Sequence, residues 1–409
     1  MTDYTQVGPD QEIYITGMIY DLKSLFAFLL RVVDTRKAKG KRYLLETLLT
    51  LILLAKLAGE DKPTGITDWV ANRVEQLVEM KILPQAKAPC HMTFRRILSF
   101  ILQAEELERL VAEYHQSQLK DGVELVLTID GKTLKGTIPA GEMRGTHVLS
   151  VYVPEQGLVL VEAAVDRKEN EIVVAPKILK QVNLSGAIVI GDAMHTQRSV
   201  SEQIVAAGGD YIWTVKSNQP RTEWAIQKLF AHEAANLKLG AGLSKEIQVA
   251  ALVNKGHGRR ETRTLWASTE LNEYLDWPGV QQVFRLERLI WHETHHGYTR
   301  EVVYGLTSLS PQQASPRKLI RLLRSYWGIE SGLHYRRDVT LHEDATRLTL
   351  GQAGQNMAII NNLVIGLCLH QGHTNLAKAR RRFSAKPAEA LQLILQAGPG
   401  RNSCPTFIC

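Results

Sequence analysis

The sequence predicts a mixed α/β fold, and three observations carry that expectation. Apolar residues recur at three- and four-residue spacing from Leu22 to about Leu119. Strand-like runs alternate with helical ones after Asp121–Gly122. A second strand-rich stretch, Lys238–Leu309, ends where Ser315–Pro316 marks a helix start.

In the first region "LKSLFAFLLRVV", "ITDWVANRVEQLVEM" and "TFRRILSFILQAEELERLVAEY" carry the helical period, and the Gly and Pro segments between them predict several short helices. The longest apolar run, "YLLETLLTLILLAKLAG" at Tyr43–Gly59, is interrupted by Glu46 and Lys56. It falls short of the roughly 20 apolar residues of a membrane span and reads as a buried helix. Such helices suit either a plain bundle or the presentation of a recognition helix to DNA.

After Gly122, "VELVLTID", "THVLSVYVPEQGLVLVEAAVD", "AIVIGD" and "YIWTVKSN" read as strands, the second folded on itself at "PEQG". "EIVVAPKILKQV" and "TQRSVSEQIVAAG" read as the helices between them. "VLTI" and "AIVI" lack polar alternation, as expected of central strands covered on both faces. "KEIQVAALV", "ETRTLWAST", "VQQVFRLERLIW" and "REVVYGLTSL" predict a β-rich insertion, since helix resumes at Ser315, an N-cap followed by proline at the first helical position. The last stretch, "AGPGRNSCPTFIC", reads as a loose tail.

Composition narrows the function classes. The 409 residues, 44% of them hydrophobic, suffice for two or three domains with ordinary cores. The amino terminus lacks the basic start and apolar region of a signal peptide, so a cytoplasmic, nucleoid-associated protein is expected. Cys90, Cys368, Cys404 and Cys409 form neither a CxxC pair nor an evenly spaced framework, so free thiols are expected. The net charge of +7 is clustered in "TRKAKGKR", "KGHGRRETR", "RKLIRLLR" and "KARRRF". Clustering of that kind favours a polyanionic partner, although each cluster alone is equally a solvated face.

Two apolar runs stop on an acid beside a glycine: Asp130 before Gly131, and Asp192 after Gly191. In open α/β sheets ligands collect outside the carboxyl ends of strands, and glycine there lets a group approach closely. One such Asp could cap a turn, whereas two suggest a shared site. The helix "SPRKLIRLLRSYWGIESGLHYRRD" offers a third acid, for Glu330 follows Leu319, Leu322, Leu323 and Tyr326 on one apolar stripe. A glutamate buried there needs a cation; the alternative is an ion pair with Arg324 or Arg337. Three oxygen-only acids suit two Mg²⁺ ions, or Mn²⁺, rather than zinc, and two such ions support in-line phosphoryl displacement. Glu171, Asp338, Glu343 and Asp344 are weaker choices for the third acid. "HETHH" at His292–His296 fits the pattern of zinc proteases, but that chemistry needs both histidines on one helix face and the flanking strands predict a hairpin turn.

The motifs "IDGKTLKGT", "IGDAMHTQ", "VKSNQ", "HGRRETR" and "YWGIESGLHYRRDVTLHEDATR" resemble, in that order, the DDE transposases of ISAs-type insertion sequences, the family that includes H-repeat-associated proteins. "VVDTRKAKGKRYLLETLLTLILLAKLAGE" and "ITDWV" resemble the domain that precedes the catalytic core there, and the likeness runs from about Ile19 to Arg382. It implies an RNase H-like core in which Asp130, Asp192 and Glu330 are catalytic acids and metal ligands, with the insertion accounting for the long second spacing. Many relatives carry a tyrosine and an arginine before the Glu and a basic residue seven positions after it. Here Tyr326 stands at the arginine position, and Arg337 occupies the downstream basic place.

The expected division is a helical, DNA-binding domain over 1–120, the core over 121–237 and 312–372, the insertion over 238–311 and a basic tail over 373–409. The implied activity is Mg²⁺-dependent cleavage of double-stranded DNA at element ends, followed by strand transfer to target DNA by a homodimer. Lys132, Lys135, His195, Gln197, Lys216, Asn218, Gln219, Arg324, His334 and Arg337 are candidates for orienting phosphates, and Arg259, Arg260 and Arg263 for gripping DNA. Trp213, Trp266 and Trp291 are candidates for stacking on a base, or for core. A nuclease without joining activity and a non-catalytic DNA-binding relative remain the alternatives.

Overall fold

The computed structural model describes residues 8–397 except 121, 167, 239–243, 257 and 293–296. The chain opens with a short hairpin, β1 (Gln11–Ile13) and β2 (Ile19–Asp21), and six helices: α1 (Leu25–Leu29), α2 (Leu45–Leu57), α3 (Pro63–Ala71), α4 (Val74–Glu79), α5 (His91–Arg96) and α6 (Ala104–Ser117). Every residue of α2 except Glu46 is buried, which is why its sequence is apolar on all sides. Lys56 inside it meets Asp61 at 3.1 Å, and burial holds its ammonium pKa below the ordinary value. No helix among the described residues is long and apolar enough to cross a membrane.

The remainder is built on one nine-stranded sheet. Its strands are β3 (Val126–Leu134), β4 (Thr146–Val153), β5 (Leu158–Val165), β6 (Ile188–Gly191), β7 (Asp210–Val215), β8 (Ile247–Gly256), β9 (Arg259–Ser268), β10 (Gln282–His292) and β11 (Gly297–Thr307). The order is β5-β4-β3-β6-β7-β11-β10-β9-β8. Counted from β3, the first five strands lie 3-2-1-4-5. The first three are antiparallel to their neighbours, and β3, β6 and β7 run parallel. The hairpin between β4 and β5 closes at Gly157, whose φ of 73° favours glycine.

Side chains of β6 and β7 alternate between two cores, as period-two strands require. Val189, Tyr211 and Trp213 face α7 (Glu171–Leu179) and α8 (Arg198–Ala206), while Ile188, Ile190 and Ile212 face α11 (Pro316–Ile329). The side chain of Ser315 caps α11 by accepting from the amide of Lys318. Leu319, Ile320, Leu322 and Leu323 are buried, each contributing about 1.5–3 kcal/mol. The inserted strands share this core through Leu265, Phe284 and Leu286. Two helices fill the connections, α9 (Pro220–Lys238) and α10 (Asn272–Leu275). Beyond the sheet, α12 (Ala353–His370), α13 (Leu376–Ala385) and α14 (Pro387–Leu395) close the chain.

Mixed α/β with an RNase H-like core is the observed class, and four local expectations change. First, β3 does not stop at Asp130; Asp130 and Gly131 pair with Ser150 and Leu149 of β4, so the strand runs on to Leu134. Second, the insertion is no separate layer, since Tyr304–Thr307 of β11 pair with Val215–Ile212 of β7 and extend the catalytic sheet. Third, the expected basic tail is helical from 376 to 395: Leu376, Ala379 and Phe383 pack into the amino-terminal core, and Arg380 donates to the Lys56 carbonyl and to Asp61. Fourth, the segment 220–238, to which the sequence reading assigns no element, is a helix that starts at Pro220. The loose-tail stretch from 398 onward and all of "HETHH" after His292 lie outside the described residues, but His292 ends β10 and pairs with Gly297 of β11, so it is on a strand and not on a helix.

Candidate catalytic site

The parallel pairing of β3 with β6 sets Ile129 opposite Gly191, so Asp130 and Asp192 are next in register on neighbouring strands, roughly 5 Å apart at the backbone. Asp192 begins a short 3₁₀ turn and accepts the Met194 amide at 2.9 Å with Oδ1, leaving Oδ2 uncommitted. Asp130 is in mid-strand, its side chain 20% exposed. Burial first, then the charges of Glu330, Glu171 and Asp192, push its carboxyl up to about 7.

The third acid arrives from α11. At Glu330 the regular helix ends and two widened, π-type turns follow, Glu330–His334 and Arg336–Thr340, a form frequent at functional sites. Glu330 is 64% exposed, which corrects the expectation of a buried carboxylate. The apolar partners of its stripe, Ile188, Ile190 and Ile212, lie under earlier turns, and Glu330 reaches past them to the Asp130 carboxylate. Neither Arg324 nor Arg337 pairs with it.

One oxygen of Asp130, one of Glu330 and one nitrogen of His334 all lie within 4.8 Å of one another. His334 Nδ1 is 3.7 Å from Asp130 Oδ2 and 3.6 Å from Glu330 Oε2. Its ring is held neutral down to about 3, by burial first and then by the cations Arg337 and Lys132. Tyr326, one turn before Glu330, faces the same opening: burial and the charges of Asp130, Asp192, Glu330 and Glu171 raise its phenol far above the ordinary value, so it stays a hydroxyl donor. Acids at this spacing without a neutralising side chain suit a divalent cation, so the residues present fit the implied metal.

Glu171 borders the site in a way its sequence hides. Asn170 caps α7, and the first turn sets Glu171 over Gly131, where a Cβ would stand 2.2 Å from Oε1. Glycine at 131 is therefore needed for this approach. His147 Nε2 lies 2.8 Å from Glu171 Oε1, and His195 Nε2 lies 3.2 Å from Oε2. Burial would raise the Glu171 carboxyl, but these two imidazoles outweigh it and bring it down to about 2. His147 was not among the sequence candidates, and the only local signal here is the Asn–Glu start of α7, which marks the helix but not its approach to Gly131.

Several expected DNA contacts are enclosed. Lys132 is buried with Nζ 2.6 Å from Asp338, and His195 is buried beside Glu171. Arg337 is wholly buried between Glu162 at 2.6 Å and Glu343 at 2.9 Å. Arg263 is buried, pairs with Glu261 at 2.9 Å and stacks on Trp327, against which Arg288 also stacks. These residues, with His334, have no surface to offer a phosphate. Trp213 is core, and it donates to Ser201. Asn218, Gln219 and Gln197 hold the loop after Asp192 by donating to the carbonyls of Ala193, Thr196 and Met194. Lys135, Lys216, Arg259, Arg260 and Arg324 remain exposed.

Comparison with known proteins gives the family. Residues 121–367 match the family model described as the transposase DDE domain, and residues 26–115 match the model described as DDE_Tnp_1-associated. The "H repeat-associated putative transposase YhhI" of Escherichia coli K12 is 28% identical over 85% of this chain and 90% of its own length. The "H repeat-associated putative transposase YbfD" of the same strain is 30% identical over 59% of this chain and 93% of its own. A piggyBac transposase in a synaptic complex with hairpin DNA covers 94% of this chain and 83% of its own at 12% identity and a TM-score of 0.38, a likeness too slight to assign anything here. With the family model spanning more than half of its length, the chain belongs to the DDE transposases, in the group of bacterial insertion-sequence enzymes.

Proposed function

We propose that this transposase cuts double-stranded DNA at the ends of its element and joins the freed 3′ hydroxyl to target DNA, with Asp130, Asp192 and Glu330 holding two Mg²⁺ ions. The observation that carries this reading is the meeting of Asp130 and Glu330, 200 residues apart in the chain, with ligand atoms inside 4.8 Å and no lysine or arginine between them. Bound divalent ions supply nucleophile activation and leaving-oxygen stabilisation in phosphoryl transfer. Asp130 and Asp192 hold their side of the site on adjacent strands, and Glu330 closes it from the helix. Tyr326 can donate its hydroxyl to a phosphate oxygen beside the acids. The family does not need a covalent intermediate on the protein for such displacements.

The exposed Arg259, Arg260 and Arg324, with Lys135 and Lys216, are the proposed phosphate contacts, and the amino-terminal helices and the β8–β9 hairpin the proposed DNA-gripping parts. Burial lowers the Arg263 pKa, Glu261 opposes this, and Arg324, Arg288 and Arg259 lower it further, so several guanidiniums converge on this edge of α11. Two ends must be held at once for transposition, so a homodimer is the proposed working unit. The test is Mg²⁺-dependent cleavage of DNA carrying the element's own ends by the purified protein and by Glu330→Gln. The wild type should cut and the variant should not; undiminished cutting by the variant would remove Glu330 from the site.

A further inference from the structure

We infer that His334 is a direct ligand of the divalent ion held by Asp130 and Glu330, so that this ion has a mixed nitrogen and oxygen shell instead of carboxylates alone. The inference rests on the metal site proposed above and adds to it a residue outside the three acids. His334 is the fourth residue after Glu330, on the first widened turn, which brings its ring to the same side as the carboxylate. Its Nδ1 stands 3.6–3.7 Å from one oxygen of each acid, too far for a hydrogen bond to either and suited to a third atom between the three.

The ring is also more than nine-tenths enclosed, and its far nitrogen Nε2 is buried with no hydrogen-bond partner among the described residues. A metal on Nδ1 would fix the ring proton on Nε2, so the inference stands on the place of Nδ1 between the two acids and not on the buried Nε2. The other enclosed imidazole close to the acids, His195, stands 3.2 Å from Glu171 and away from the space between Asp130 and Glu330, although neither of its ring nitrogens has a hydrogen bond among the described residues. His334 is set apart by position, its Nδ1 grouped with one oxygen of Asp130 and one of Glu330. A nitrogen donor changes what the site selects: imidazole suits Mn²⁺ better than Mg²⁺, whereas an all-carboxylate shell discriminates less.

The experiment uses full-length protein with Mn²⁺ as the probe. Pulsed electron paramagnetic resonance on the Mn²⁺ complex, with ordinary and ¹⁵N-histidine protein, reads a directly bound imidazole nitrogen without reference to activity. The expected result is a nitrogen coupling that shifts on labelling and disappears in His334→Asn, accompanied by a roughly tenfold loss of preference for Mn²⁺ over Mg²⁺ in competition titrations. Because His334→Asn could fail to fold, the wild-type spectrum decides independently: absence of nitrogen coupling overturns the inference. Coupling that persists in a folded His334→Asn also overturns it, by assigning the nitrogen to another histidine. If Mn²⁺ binds without nitrogen coupling and Asp130→Asn releases it, the acids hold the ion alone and only this inference fails. If the wild type binds no Mn²⁺, the metal site itself fails with it.

Discussion

Two groups of charge stand seven residues apart on the same widened stretch of helix, and they are built oppositely. At Arg337 the guanidinium is wholly enclosed, and Glu162, Glu343 and Asn362 accept from it; Ser150 and Asn361 then donate to the same carboxylates. At Glu330 two acids, Asp130 and Glu330, meet a neutral histidine with no side-chain cation, and Asp192 stands beside Asp130 in register without its carboxylate joining the cluster. Both are carboxylate clusters by composition. The first is paired with a cation and cross-linked by hydrogen bonds, although Arg337 Nη2 and Glu162 Oε1 have no partner among the described residues, and it holds the strand β5, the widened turns and α12 together. The second keeps its charge unneutralised at an opening, a cost that folding alone does not explain.

The comparison breaks most clearly in catalysis. Asp130→Asn or Glu330→Gln should lower DNA end cleavage on the order of 10³-fold or more, several kcal/mol of barrier, while circular dichroism and the unfolding transition show an intact fold. Cleavage within tenfold of wild type would place the open cluster with the structural one. Arg337→Met should do the reverse, leaving Glu162 and Glu343 buried and unpaired at a cost of about 3–5 kcal/mol in denaturant unfolding. Adding Glu162→Gln and Glu343→Gln should recover part of that loss; no recovery would mean the network is not electrostatic.

A smaller effect sharpens the contrast through pH. In folded, metal-free protein Asp130 keeps its proton to about 7, against 3.8 for an ordinary Asp. Between those values the native state binds more protons than the unfolded one, so its contribution to stability falls as pH rises and is fully lost above about 7. Asp130→Asn has no such proton to lose. Without metal it should be more stable than wild type at pH 8, by about 1–3 kcal/mol, with the gap closing toward pH 4. A pH-independent gap would show that Asp130 is not raised. The smallest change is expected at the surface: Arg324→Ala should weaken DNA binding a few-fold across sequences and reduce the salt slope by about 1, measured by titration at several ionic strengths.

The sequence displays the sheet centre well, because "VLTI" and "AIVI" are uniformly apolar for a physical reason: both faces are covered. It also displays α11, whose Ser–Pro start and apolar stripe are local signals. What it hides depends on partners far away. Gly131 reads as a strand breaker, yet it lies within β3 to admit Glu171. Arg337 reads as a phosphate contact because Glu162 and Glu343 come from β5 and a later turn, which no periodicity announces. Glu330 falls on the apolar stripe by spacing, but the helix outruns the hydrophobic floor beneath it. The run "KARRRF" masks the Leu376, Ala379 and Phe383 stripe of a packed helix.

Trp327, three residues ahead of Glu330, packs against two guanidiniums from the neighbouring strands β9 and β10, with Arg263 at 5.3 Å and Arg288 at 4.4 Å from its ring. Each such contact contributes about 0.5–2 kcal/mol, and both vanish together if α11 slides along its axis. The added strands thus act as a mechanical stop for the helix, fixing how far the last acid projects.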